Sequence, residues 1–300
     1  MNVVLRTKGY NESIKESEFT LDDFNTVLTF MKQSEIPFIN IIGKSPFLHN
    51  KFYDFIEAAI LAEVYIRIIL DTVPDDDTIE RLAQIATINQ NKIGFSIDLT
   101  EYSEDNESLN YLITKLGKWS HSSVTITPEF NNLEEILQVI VDKGMMPILK
   151  LGFSLPAYNN PYTVLPIEQY KEKTELIGSV TNFRRIHEIG FVFDCGMTLC
   201  DFSNDVIAGI FKSPMASFEF LCSPKVEILP GLDVVHCSIL VGETQVKLTD
   251  FSSFRELFNY LLVYFKNYDT LYNKCTECWY KNKLCGGGCK GYKYNLTDTK

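Results

Sequence analysis

Cys275-x2-Cys278-x6-Cys285-x3-Cys289 brings four thiols into one short stretch, with Gly286, Gly287 and Gly288 filling the last gap. Thiolates are soft ligands, and four on one loop can wrap a single metal centre. The chain of 300 residues has eight cysteines, and the other four, Cys195, Cys200, Cys222 and Cys237, lie upstream of this run. No cysteine occurs in the first 194 residues. Eight thiols suffice for two four-thiolate sites, such as two iron–sulfur clusters. Structural zinc fits Cys-x2-Cys spacing equally well. Inert buried thiols are a poor explanation, because eight would not crowd into one third of a chain by chance. The run has few side chains that can pack, so a metal must hold it. Its glycines let the backbone approach an inorganic core and donate N–H groups to sulfide. Pro230-Gly231 marks a turn between two strand-like segments, so a hairpin would return Cys222 and Cys237 to one end.

Other polar residues have simpler explanations. His49, His121, His187 and His236 are scattered. His49 reads as a helix-entry residue, and His236 as a packing or surface residue despite its neighbour Cys237. Asp71, Asp98 and Asp194 end strand-like runs, where barrel active sites gather, but each serves equally as a turn cap. Asp75, Asp76 and Asp77 read as a solvated helix N-terminus favoured by the dipole. Tyr158 and Tyr162 lie on a Pro- and Asn-rich loop that either grips a peptide or packs as a cover. Trp279 and Tyr280, between metal-ligating candidates, are expected to shield the metal from water. Gly43-Lys44-Ser45 resembles the tail of a phosphate loop, but Phe38 stands where the motif needs its first glycine.

The elements that must position these groups show in the hydrophobic periodicity. Leu21 to Gln33 repeats at helical spacing behind a Thr20/Asp23 capping box. Strand-like runs at 38–42, 64–70, 93–99, 123–127 and 147–153 alternate with helical patterns near 52–59, 79–86, 108–118 and 133–142. Spacings of roughly 25 to 30 residues suit βαβ units, whose crossovers make strands parallel. The segment 154–166 reads as a loop, 167–189 as mostly helical, and 191–194 as a strand leading into Cys195. Short strands near 226–229, 234–240 and 245–248 follow, then a helix over 253–266. An α/β domain at 1–190 and a small Cys-rich α+β domain at 191–300 are expected.

The formal charge of −11 argues against binding nucleic acid or an anionic membrane and leaves open a cationic peptide or protein partner. No secretory leader or membrane-spanning run is present, so the chain reads as cytoplasmic. In a reducing compartment clustered cysteines favour metal over disulfides.

The order of a hairpin cysteine pair, Cys222 and Cys237 about Gly231, followed by Cys275, Cys278, Cys285 and Cys289, resembles the SPASM domain. That domain is the auxiliary-cluster module of many radical S-adenosylmethionine (SAM) enzymes. The family's final downstream cysteine is absent, and Cys195 and Cys200 are available to replace missing ligands. The resemblance implies one or two auxiliary [4Fe–4S] clusters. One would take Cys222, Cys237, Cys289 and an early cysteine. The other would take Cys275, Cys278, Cys285 and the remaining early cysteine.

The N-terminal half resembles the radical SAM core, a partial (βα)6-type barrel, here with its first strand apparently missing. Gly43, Lys44, Ser45 and Pro46 stand where the family has Gly-Gly-Glu-Pro, which contacts the SAM amino group. Leu70-Asp71-Thr72 stands where many members have Thr-Asn-Gly. The defining Cys-x3-Cys-x2-Cys is absent, and a lysine charge about 4 Å from the SAM ammonium would cost on the order of 1–4 kcal/mol. The expectation is a degenerate paralogue that does not cleave SAM alone. It would bind a peptide substrate or relay electrons to a partner maturation enzyme. An active enzyme whose first cysteines lie upstream of Met1, or a zinc-stabilised binding protein, are the alternatives.

Overall fold

The computed structural model describes residues 1–5, 17–155, 162–194, 196–212, 225–237, 246–265, 270–281, 283–289 and 292. The chain divides into two compact units, each discontinuous in sequence: residues 1–96 with 223–268, and residues 97–222 with 269–300.

The first unit begins with β1 (Asn2–Val4), then α1 (Leu21–Gln33), β2 (Phe38–Ile42), α2 (Phe52–Leu61), β3 (Tyr65–Leu70), α3 (Asp76–Ile88) and β4 (Ile93–Asp98), whose last two residues fall in the second unit. The second unit continues with α4 (Glu107–Leu116), β5 (Ser120–Ile126), α5 (Leu133–Asp142), β6 (Ile148–Phe153), α6 (Tyr170–Ser179), α7 (Thr181–Ile186), β7 (Gly190–Phe193) and α8 (Asn204–Phe211). The chain then returns to the first unit with β8 (Glu227–Ile228), β9 (Asp233–Val235), β10 (Val246–Lys247) and α9 (Phe254–Phe265).

In the first unit the strand order is β10-β9-β8-β1-β2-β3-β4. β8, β1, β2 and β3 are parallel, while β9 and β10 fold back antiparallel. The first strand, expected to be missing, is therefore present as β1. Its three residues are too few to show a period of two. Pairing on both sides supplies its backbone partners, and Val3 and Val4 are fully buried.

The helices form where capping and periodicity agree. Thr20 Oγ1 accepts the Asp23 N–H, and the Asp23 carboxylate accepts the Thr20 N–H, closing the expected capping box of α1. Asp75 caps α3 by accepting the Thr78 N–H at 2.7 Å, which draws the carboxyl below its ordinary pKa. His49 is buried at the entry to α2, where its Nδ1 accepts the Lys51 N–H. β2 and β3 alternate strictly, with Ile39, Ile41, Ile66 and Ile68 fully buried on one face. The opposite face aligns Glu227, Asn2, Asn40 and Arg67 in register across β8, β1, β2 and β3. Asn40 donates to Asn2 and Asn2 to Glu227, so this row is hydrogen-bonded side to side.

In the second unit β5, β6 and β7 run parallel, and the Leu99 N–H, just past β4, donates to Ser123 O on β5. The segment expected to be mostly helical forms α6 and α7, parted at Val180. α6 and α8 approach so closely at Gly178 that a Cβ there would lie 2.4 Å from Val206 Cγ2. A helix interior ordinarily favours Ala over Gly. Here packing reverses that preference: Gly178→Ala is expected to destabilise the protein by about 1–3 kcal/mol, read as a lower urea midpoint at unchanged slope. No described helix is long and apolar enough to cross a membrane.

Candidate metal centre

The candidate centre in the second unit starts from a short turn, Leu199–Asp201, just beyond β7. Thr198 donates both its N–H and its hydroxyl to Asp201 Oδ2, at 2.9 and 2.8 Å. The other Asp201 oxygen accepts the Tyr272 hydroxyl at 2.7 Å, and the Asp201 carbonyl accepts Thr174 Oγ1 at 2.6 Å. Asp201 thus ties this turn both to α6 and to the entry of the cysteine run. Burial and the neighbouring carboxylate push the Tyr272 pKa well up, so the phenol stays a donor. Cys200 sits on this turn, exposed, with Sγ 3.0 Å from Thr198 Oγ1.

The run itself is held mainly by backbone. Tyr272 leads into a short helix, Asn273–Glu277, that carries Cys275. The Tyr280 carbonyl collects the N–H groups of Lys283, Leu284 and Cys285. The Leu271 N–H donates to Gly287 O at 2.8 Å, and the Gly287 N–H points at Cys285 Sγ at 3.4 Å. Gly287 and Gly288 have φ of 81° and 83°, the left-handed region. A Cβ on Gly287 would lie 2.6 Å from Thr270 Cγ2, and one on Gly288 2.8 Å from Leu271 Cβ and 3.0 Å from Thr198 Cγ2. Conformation and space both demand glycine at these two positions.

Cys275, Cys285 and Cys289 are 5, 7 and 4% exposed, while Cys278 is exposed. Burial raises the Cys285 pKa, and the charges of Cys200 and Cys275 raise it further, against N–H groups of Leu199 and Gly287 that lower it. This donor set suits a soft metal or cluster. Among the described residues no three Cys, His, Asp or Glu side chains yet converge as a ligand set. Cys195 and Cys222 lie outside the described residues, as does Tyr158. Cys237 follows β9 in the first unit and is half-buried.

Trp279 and Tyr280 do not shield this region. They are 70 and 50% exposed, packed edge to face on each other, with Lys283 Nζ 3.9 Å from the Trp279 ring centre. A cation over an indole satisfies the ring without burial. The aromatic cover lies elsewhere: Tyr170, fully buried, meets Tyr292 edge-on and the Phe153 ring at 4.3 Å. Burial pushes the Tyr170 pKa far up, with a contribution from the Cys289 charge.

The degenerate segment lies at the end of β2 in the first unit. Gly43 has φ of 118°, Ser45 has φ of 52°, and Pro46 opens a short helical turn. The Ser45 N–H donates to Asp71 Oδ1 at 3.1 Å, and Ser45 Oγ lies 2.7 Å from Thr72 Oγ1. The two segments set apart in the sequence are thus hydrogen-bonded to each other, with Ser45 9% exposed and Lys44 in solvent. Ser45 offers no charge to an ammonium group, and its polar atoms already have partners.

The remaining sequence candidates serve structure. Asp98 accepts the Thr100 N–H and hydroxyl and the Tyr162 hydroxyl, and Asp194 pairs with Lys150 at 2.6 Å. What sequence reading missed is the Thr198–Asp201 turn and its link to Tyr272. The Thr-x-x-Asp spacing was its only trace.

The fold is a mixed parallel and antiparallel sheet of the (βα)-barrel type with added helices and strands. Three crystal structures of Streptococcus suis SuiB match the entire chain. SuiB bound to S-adenosylmethionine matches with a TM-score of 0.67 at 13% identity, over 74% of SuiB. SuiB bound to the precursor peptide SuiA matches at 0.66 and 13%, over 72%, and SuiB alone at 0.63 and 15%, over 74%. No protein-family model and no curated protein matches the chain.

Proposed function

We propose that the chain is a cytoplasmic iron–sulfur protein of peptide or protein maturation that has lost SAM cleavage and keeps auxiliary [4Fe–4S] chemistry. The observation that carries this reading is the glycine cradle itself, which cannot accept a side chain and sets the Gly287 N–H on Cys285 Sγ with Cys275 Sγ 3.5 Å from the place a Gly287 Cβ would take. Loss of SAM chemistry is supported by the Ser45–Asp71–Thr72 hydrogen bonds, which occupy the segment that would meet the SAM amino group. A peptide partner is supported at the level of fold alone, since SuiB crystallises with its precursor peptide. The clusters would bind substrate, relay electrons or brace the fold, with Cys195, Cys222 and Cys289 among the remaining ligands.

The test is anaerobic reconstitution followed by iron, sulfide and zinc analysis and a SAM-cleavage assay. About eight irons per chain with matching sulfide and no 5′-deoxyadenosine are expected. Colourless, zinc-loaded protein would overturn the iron–sulfur reading. Production of 5′-deoxyadenosine by this chain alone would overturn the loss of SAM chemistry.

A further inference from the structure

Among the described residues, three of the eight exposed large hydrophobic side chains fall within residues 279–284: Trp279, Tyr280 and Leu284, at 70, 50 and 53% exposure. Apolar residues exposed singly need no explanation, but a contiguous group marks a contact surface. The Lys283 cation over the Trp279 ring accounts for one of the three and leaves the other two. Backbone bonds close the turn that presents them: the Lys281 N–H donates to Cys278 O, and Tyr280 O accepts the N–H groups of Lys283, Leu284 and Cys285. The Trp279 and Tyr280 rings meet edge to face at 5.4 Å, so they stand out as one block. A surface ordered before contact loses little entropy on binding.

Charge selects the partner. The whole chain is formally −11, which by itself favours a cationic partner. Residues 270–289 carry the opposite sign, with Lys274, Lys281 and Lys283 against Glu277 alone. Lys274 and Lys283 are exposed, and Lys281 is half-buried. We infer that this turn is a docking surface for an acidic protein, whose carboxylates meet the three lysines while an apolar spot covers Trp279, Tyr280 and Leu284. Interface centres are enriched in Trp and Tyr, and rim charges set the sign of the partner and the on-rate. A nucleic acid or an anionic bilayer spreads its charge far beyond three lysines, so the rest of a −11 chain would face like charge. An acidic protein face can be confined to the turn. The assignment goes beyond the reading above and holds whichever metal the thiols take.

The probe is a fluorescein-labelled copolymer of glutamate and tyrosine, titrated by fluorescence anisotropy with the full chain purified anaerobically. The wild type is expected to bind it at low salt and to lose affinity as salt rises. Lys274→Glu combined with Lys281→Glu and Lys283→Glu is expected to weaken binding at least about tenfold, and Trp279→Ser at least about fivefold. Lys118→Glu is the control: Lys118 Nζ lies 4.1 Å from the centre of the Trp119 ring in the same unit, but Trp119 is half-buried, so affinity should hold. Far-UV circular dichroism and metal content check that the variants keep the fold. Should charge reversal disturb it, Lys→Gln at the same three positions takes its place, with a loss of at least about threefold expected. No binding by the wild type, or unchanged affinity in either the lysine variant or Trp279→Ser, overturns the proposal. So does tighter binding of phosphatidylserine vesicles or of a single-stranded oligonucleotide that the same variants abolish, since the occupant would then be a membrane or a nucleic acid.

Discussion

Stripping iron from the loaded protein with a strong chelator is expected to raise amide exchange over residues 270–289 on the order of a hundredfold, or about 2.7 kcal/mol of local stability. β1, β2 and β3 of the first unit should stay protected. The contrast follows from what holds each region. The first unit buries whole faces of its strands, with Val3, Val4, Ile39, Ile41, Ile66 and Ile68 fully excluded from water. The cysteine run buries few large side chains, chiefly Leu271, Cys275, Cys285 and Cys289 with its three glycines, and exposes Cys278, Trp279, Tyr280 and Leu284. Ordering each of its residues costs roughly 1–2 kcal/mol of backbone entropy. A few hydrogen bonds to Tyr280 O and Gly287 O do not offset that, and ligation of the proposed cluster would supply the difference. Uniform exchange with and without iron would mean that the run folds by itself and that any metal is incidental.

Sequence reading located what repeats and missed what is short or assembled from afar. The capping box at Thr20 and Asp23, the strands β2 and β3 and the acidic helix N-terminus at Asp75, Asp76 and Asp77 follow from local spacing, and each stands where it was expected. β1 escaped because three residues cannot display a period, and its stability comes from two neighbours, one of them β8, more than 200 residues away. The polar row through Glu227, Asn2, Asn40 and Arg67 was illegible for the same reason: register across four strands is a tertiary fact. Trp279 and Tyr280 were misread because aromatic residues between thiols suggest a cover, whereas the tight turn onto Tyr280 O leaves both rings in solvent.

The cosubstrate segment shows how two levels of reading combine. Lys44 and Ser45 in place of Gly and Glu were visible in the sequence, as was Asp71-Thr72. The structure adds that the two altered segments bond to each other, Ser45 N–H to Asp71 and Ser45 Oγ to Thr72 Oγ1. Restoring glutamate at position 45 alone would place a second carboxylate beside Asp71 and remove the hydroxyl that Thr72 engages. Like charges in so confined a space oppose each other. Positions 45, 71 and 72 therefore behave as one coupled unit.

Gly288→Ala is expected to be among the most damaging single-methyl changes in the second unit, at about 2–5 kcal/mol, and to cost the protein bound iron. Two independent penalties meet there. A side chain at φ of 83° carries roughly 1–2 kcal/mol of left-handed strain. The new methyl would also lie 2.8 Å from Leu271 Cβ and 3.0 Å from Thr198 Cγ2, and overpacking of this kind costs about 1–3 kcal/mol. Gly144 in the same unit separates the two, since it has φ of 59° and nothing within 4 Å of where its methyl would stand. Gly144→Ala should show the strain alone, with iron content unchanged. Urea midpoints and iron analysis on both variants make the comparison. Relief at Gly288 can come only by moving Leu271, which fixes the Gly287 carbonyl, or Thr198, which fixes Asp201 and through it Tyr272. Either movement parts the turn carrying Cys200 from the loop carrying Cys275 and Cys285. Equal losses for Gly288→Ala and Gly144→Ala would show that backbone conformation matters there and the close approach of the two segments does not.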